Sequence, residues 1–249
     1  MPEALINGVR LSYQVDGEGP PLVMGHSLAL DHHLYDDAVM ELSRKWQVIR
    51  PDFRGHGESA RPYEDYDLEC MTNDLIGLVD HLGLERFAYA GLSMGGMIGM
   101  RLALALGNRI NALVLMDTSA GAEPNLPDVN AFLGISLSRK FIERNPPSLE
   151  RLRTQLMAND PVGNYYAQIA VLRRECIEAQ LCGIESPTLV VVGEKDMPTP
   201  LPCAQKMAAE IPNAQLMVVP ESGHLTILEA TDIVASAIDE HLTIHVERN

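Results

Sequence analysis

The chain has 249 residues, 46% of them hydrophobic, and carries a net charge of −15 with a pI of about 4.8. That length supplies one sizeable core, and so acidic a surface repels phosphate backbones and anionic membranes, which argues against nucleic acid as a partner. The four cysteines, Cys70, Cys176, Cys182 and Cys203, lack the paired spacing of a metal site and are too sparse for a disulfide scaffold.

At the N-terminus, MPEALINGVRLSYQVDG has no basic region followed by an apolar run, and no stretch approaches 18 consecutive apolar residues. The expectation is a cytoplasmic protein with no signal peptide and no membrane span. Residues 4–15 predict a hairpin around the turn dipeptide Asn7-Gly8. Short apolar runs follow: PLVMG (21–25), WQVIRPD (46–52), FAYAG (87–91), ALVLMD (112–117), TLVVVG (188–193) and QLMVVP (215–220). Their near-continuous hydrophobicity predicts strands covered on both faces. Between them, Leu68, Met71, Leu75, Leu78, Val79 and Leu82 recur at the helical period up to Gly83, and residues 94–106 and 229–242 are further helix candidates.

Strands alternating with helices imply right-handed crossovers and a doubly wound, mostly parallel α/β sheet in a single domain spanning 1–249. One interval, about 121–183, has no strand-like run and predicts a helical cap laid over the sheet's C-terminal edge. Asp160-Pro161 opens its clearest helix, with Asp as N-cap and Pro at the first helical position.

The main chemical signal is Gly91-Leu92-Ser93-Met94-Gly95-Gly96, set between a strand and a helical run. A nucleophile there must ride a sharp turn, and only very small residues two before and two after it avoid a clash. Gly91, Gly95, Gly96 and Gly99 do not fit the phosphate-cradling G-x-G-x-x-G, and the remaining alternative is that Ser93 merely caps the helix. A serine hydroxyl needs a base. Of eight histidines, His224 follows the last core strand, where a loop can hang it over the sheet edge. The base needs an orienting acid; Asp196, past TLVVVG, fits the chain order Ser…acid…His, with Asp117 its rival and Glu194 less well placed. The oxyanion donors are expected to be the Met94 N–H and, from the loop after PLVMG, that of Leu28. His26 and Ser27 should shape that loop, and the charges of Asp52–Ser59 should brace its neighbours. His32, His33, Asp36 and Asp37 read as a solvated helix face; no metal and no cofactor is implied.

Taken together, G-H-S-L, D-x-R-G-H-G-x-S, G-L-S-M-G-G, G-x-x-D-x-x-T-P and G-H resemble the α/β-hydrolase superfamily. Within it, GHSLALD, DHLGLERFAYAGLSMGGMIG and NDPVGNYYAQIAVLRR resemble 3-oxoadipate enol-lactonases and their related carboxylesterases. The resemblance implies a Ser93–Asp196–His224 triad and an oxyanion hole at Leu28 and Met94. The chain departs from that pattern at Tyr35, where the family often has tryptophan, and its one tryptophan, Trp46, lies outside the cap.

The expected activity is hydrolysis of small to medium carboxylic esters. Enol-lactone hydrolysis is the alternative, and C–C hydrolases, acyltransferases and cofactor-free perhydrolases share the triad. From another class, a non-catalytic small-ligand receptor keeps the same fold. A small ester or lactone is the expected partner, with homo-oligomer formation left open. In the cap, Phe132, Leu133, Ile135, Leu137, Phe141, Leu156, Met157 and Ile169 are candidates to line an apolar pocket; any of Arg139, Arg173 and Arg174 could pair with a substrate carboxylate, but the usual case, an arginine facing solvent, is the expectation.

Overall fold

The structure, a computed structural model, describes residues 1–121 and 135–246. Asn7 (φ 49°) and Gly8 (φ 80°) both adopt the left-handed conformation that a two-residue hairpin turn requires. They reverse the chain between β1 (Glu3–Ile6) and β2 (Val9–Asp16), pairing Ile6 with Val9 and Glu3 with Ser12. β2 runs antiparallel to β4 (Gln47–Pro51). From β4 onward the sheet is parallel through β3 (Pro21–Gly25), β5 (Phe87–Leu92), β6 (Ile110–Met116), β7 (Thr188–Gly193) and β8 (Ala214–Val219). The order β1-β2-β4-β3-β5-β6-β7-β8 is the doubly wound, mostly parallel arrangement that the alternation of elements predicts.

Two buried clusters, one on each face of the sheet, explain the near-continuous apolar runs. Val23, Tyr89, Leu113, Leu115 and Val190 belong to one, while Leu22, Met24, Ala88, Ala90, Val114 and Val191 belong to the other. Successive strand residues point to opposite faces, so a strand covered on both must be apolar at every position. β8 is the exception, and here the expectation from QLMVVP fails. Among the described residues it lies at the sheet edge, paired only with β7, and Leu216 and Val218 are each 38% exposed.

Helices cover both faces: α1 (Asp36–Leu42), α2 (Leu68–His81) and α3 (Met94–Leu106) before β6. α2 stops where Gly83 turns left-handed at φ 67°. Between β6 and β7 the described residues form helices only: α4 (Arg139–Arg144), α5 (Pro147–Ala158), α6 (Pro161–Leu172) and a 3₁₀ turn at Glu178–Gly183. Asp160 caps α6 as predicted, its Oδ1 accepting the Val162 and Gly163 N–H bonds. α7 (Leu201–Glu210), α8 (Thr226–Glu229) and α9 (Thr231–His245) complete the chain. The helix expected over 229–242 therefore starts two residues later, after a separate short turn of helix. Among the described residues no helix is long and apolar enough to cross a membrane.

The apolar residues expected to line a pocket divide. Phe132 and Leu133 lie outside the described residues. Leu137 and Phe141 join the buried cluster that holds Leu149 and Leu152, so they anchor the segment to the body. Met157 is 86% exposed and faces solvent. Ile135, Leu156 and Ile169 are half-buried.

Candidate active site

The turn between β5 and α3 places Ser93 at φ 55°, ψ −114°, a conformation that L-residues rarely adopt. Its backbone is held there: Ser93 N–H donates to Met116 O (2.9 Å), and Ser93 O accepts from Thr118 Oγ1 (2.7 Å). A Cβ on Gly91 would stand 2.3 Å from Gly95 O, and one on Gly95 would stand 2.1 Å from Gly25 O. Both contacts are with backbone, which cannot swing away. Gly95→Ala is therefore expected to yield little folded protein, measured as soluble yield and loss of a cooperative melt. Ser93 makes no side-chain capping bond to α3. Its Oγ lies instead 2.9 Å from His224 Nε2, so the reading of Ser93 as a simple helix cap fails.

His224 and Asp196 come from the loops that follow β8 and β7. His224 Nδ1 is 2.9 and 3.0 Å from the two Asp196 oxygens, which assigns the proton to Nδ1 and leaves the Nε2 lone pair toward Ser93. Asp196 is itself held by Thr199, whose N–H donates to Oδ1 (3.0 Å) and whose hydroxyl donates to Oδ2 (2.8 Å). Burial lowers the His224 pKa, but the Asp196 charge and hydrogen bond outweigh it, and the imidazole ends above its ordinary value.

The rival acids are occupied elsewhere. Asp117 Oδ1 accepts the Gly193 N–H (3.0 Å), and Oδ2 accepts the N–H (3.0 Å) and hydroxyl (2.7 Å) of Thr226. It ties the loop carrying Asp196 to the helix after His224. Burial, reinforced by the nearby Asp196 charge, pushes its carboxyl well above the usual range. Glu194 is exposed and accepts the Glu221 N–H.

Glu229 is a site residue that the sequence reading passed over. Its Oε2 accepts the Ser138 N–H and hydroxyl, and its Oε1 accepts the Gly223 N–H next to His224. The His224 N–H donates to Ser136 O at 2.6 Å, so the base's loop is fastened to residues 136–138 on both sides. Burial raises the Glu229 carboxyl's pKa. In Glu229→Gln the new amide must face an N–H at one end. The expected result is a stability loss of about 1–3 kcal/mol with a lowered kcat, read by thermal melting and steady-state kinetics.

The Gly25–Leu30 loop after β3 brings Leu28 and Ala29, both buried, to the same end of the sheet as Ser93. No hydrogen bond within the described residues uses the N–H of Leu28 or that of Met94. The 52–59 segment braces this loop, as its charges suggest. Phe53 N–H donates to His26 Nε2 (2.9 Å), and His32 Nδ1 meets Asp52 Oδ1 (2.9 Å). Arg54 is clamped to Asp74 of α2 by two hydrogen bonds.

Two expectations are corrected here. His32 is buried against Asp52, and Asp36 pairs with Arg50; only Asp37 and His33 remain exposed. The N–H of His32 also donates to Asp52, which pulls its 3₁₀ turn inward. Asp31, His32 and His33 each bring a potential ligand atom within 4.8 Å of the others. His32 Nδ1 meets Asp52 Oδ1 (2.9 Å) and His33 Nδ1 meets Asp36 Oδ2 (2.8 Å). Of the three arginines expected in solvent, Arg139 and Arg173 are exposed and paired with Glu143 and Asp65. Arg174 is buried, donating to Val171 O (2.8 Å) and Ser119 Oγ (3.3 Å).

Comparison with known proteins bears on this arrangement. The chain is 27% identical to 3-oxoadipate enol-lactonase 2 of Acinetobacter baylyi, over 93% of this chain and 92% of that one. It superposes on an enol-lactonase from Burkholderia xenovorans with a TM-score of 0.92 at 29% identity, covering 97% of this chain and all of the other. A thermophilic esterase from Thermogutta terrifontis gives a TM-score of 0.90 at 28% identity, with 98% of each chain covered. These relatives are hydrolases of differing substrate. The model of the alpha/beta hydrolase family matches residues 22–237, and this chain belongs to that family.

Proposed function

We propose that the protein hydrolyses uncharged carboxylic esters of short to medium acyl chains, with Ser93 as nucleophile, His224 as general base and Asp196 as orienting acid. The observation that carries this reading is the unbroken relay from the Asp196 carboxylate through His224 Nδ1 and Nε2 to Ser93 Oγ, with every step at 2.9–3.0 Å. Ser93 Oγ attacks the ester carbonyl carbon as its proton passes to His224 Nε2. The N–H groups of Leu28 and Met94 receive the negative charge on the carbonyl oxygen. Collapse expels the alcohol, which takes the proton from His224. Water then gives a proton to His224 Nε2 as it attacks the acyl-Ser93 carbonyl, and collapse breaks the bond to Ser93 Oγ, which takes the proton back from His224 as the acid leaves. The helices described between β6 and β7, α4, α5 and α6, act as the cap over this site.

A fluorophosphonate probe should label wild type and leave Ser93→Ala unlabelled, and wild type should turn over p-nitrophenyl acetate and butyrate. A folded wild-type protein that does neither, yet binds small molecules, would be a receptor. Arg139→Ala and Arg173→Ala are expected to change ester turnover by no more than about twofold, as exposed pairs do.

The names of the Acinetobacter and Burkholderia relatives favour a second reading, enol-lactone hydrolysis, for which Arg174 is the residue to test. A substrate carboxylate taken from water needs a charged partner. Much faster turnover of 3-oxoadipate enol-lactone than of any neutral ester, abolished by Arg174→Ala in a protein that still hydrolyses p-nitrophenyl acetate, would establish that reading.

A further inference from the structure

The loop that carries the Leu28 N–H is pinned peptide by peptide. Ser27 O accepts from His26 Nδ1 (2.8 Å) and from the Leu30 N–H (3.2 Å). His26 Nε2 accepts the Phe53 N–H, which fixes the proton on Nδ1. In a trans peptide the C=O and N–H point in opposite directions, so donors on Ser27 O aim the Leu28 N–H away from them and strengthen it as a donor. In the next peptide, the Ala29 N–H donates to His56 Nε2 (3.3 Å). His56 Nδ1 lies 3.1 Å from Arg54 O, and burial holds the ring's pKa down at about 3, so Nε2 stays an acceptor.

The peptide after that is held from the opposite side. Ala29 has φ 63°, a left-handed conformation that alanine abandons unless both flanking peptides are restrained. Its carbonyl accepts from Asn159 Nδ2, at the C-terminal end of α5. One turn earlier on the same helix face, Gln155 Nε2 donates to Asp31 Oδ1. That carboxylate oxygen also accepts the His33 N–H and so caps the 3₁₀ turn that follows the loop. Two amides spaced four residues apart thus reach from the helical segment to the loop, one to its backbone and one to the residue that ends it.

We propose that Asn159 and Gln155 are positioning residues for the oxyanion hole, so that the helical segment, by docking, sets the aim of the Leu28 N–H. This inference rests on the ester-hydrolase reading above. It makes the segment part of the catalytic geometry as well as a cover for substrate.

The test separates positioning from simple docking. Asn159→Ala and Gln155→Ala are compared with wild type for p-nitrophenyl acetate kinetics, inhibition by a short alkylboronic acid, inhibition by a planar product carboxylate, and thermal melting. The boronic acid becomes tetrahedral on Ser93 and uses the oxyanion donors; the planar acid does not. Asn159→Ala is expected to lower kcat by about 10- to 100-fold and weaken boronate binding similarly, with KM and product affinity within about twofold. Gln155→Ala should do the same more weakly, and it carries the test if Asn159→Ala does not fold. Raised KM with unchanged kcat and boronate affinity would reduce both residues to docking contacts and overturn the proposal. If wild type neither hydrolyses the ester nor binds the boronate, the functional reading itself fails. If wild type does both and the variants match it, only this inference fails.

Discussion

Ser93→Ala should lower ester hydrolysis by at least ~10³-fold and leave the fold intact. Among the described residues the Ser93 side chain has one hydrogen-bond partner, His224 Nε2, while its backbone N–H and carbonyl are held independently by Met116 and Thr118. Removing Oγ therefore deletes the nucleophile without releasing the turn. Alanine is no more strained than serine at φ 55°, because both carry a Cβ. Stability should change by no more than about 0.5 kcal/mol, read as an almost unmoved melting temperature. The contrast with Gly95→Ala is sharp, since there an added methyl meets backbone at 2.1 Å. Pure Ser93→Ala protein that keeps more than a tenth of wild-type activity would remove Ser93 from the nucleophile's role.

How much of this site can be read from the chain depends on how local each feature is. The nucleophile elbow is legible because its glycines answer to a clash within a few residues, Gly91 against Gly95. Asp160 and Gly83 are legible for the same reason, since cap and stop signals act within one turn of helix. Parallel strands are legible from burial on both faces; β8 is found where the apolar run puts it, but its cover on both faces fails because such a run does not reveal that the strand lies at the sheet edge. Glu229, Thr226 and Asn159 carry no local signal. Their partners, Ser138, Asp117 and Ala29, lie 91, 109 and 130 residues away. His32 was misjudged similarly, because its burial is decided by Asp52 on another loop. Thr199 is an intermediate case. Its spacing in D-x-x-T-P is a turn signature, and the hydrogen bonds it makes to Asp196 follow from that local geometry.

Asp196→Asn is expected to lower kcat by about 10³–10⁴-fold, while Asp117→Asn acts mainly on stability. Both oxygens of Asp196 stand within 3.0 Å of His224 Nδ1, and their charge is what lifts the imidazole pKa above its ordinary value against the opposing effect of burial. An amide there removes the charge that stabilises the imidazolium and sets an N–H₂ in competition for Nδ1. The pH profile follows with a definite sign. Protonated His224 cannot accept the Ser93 proton, so wild-type kcat/KM should fall as pH drops through a pKa above about 6.5. In Asp196→Asn that limb should move to lower pH. Asp117 faces different partners, the N–H groups of Gly193 and Thr226 and the Thr226 hydroxyl. Whichever way an asparagine turns at 117, its amide meets one of those backbone N–H groups and leaves it unsatisfied. The expected cost is about 1–3 kcal/mol of stability, with a kcat loss far smaller than for Asp196→Asn and the pH limb nearly unmoved. If Asp117→Asn instead abolishes turnover and shifts the limb while Asp196→Asn does neither, the charge that serves His224 comes from the end of β6.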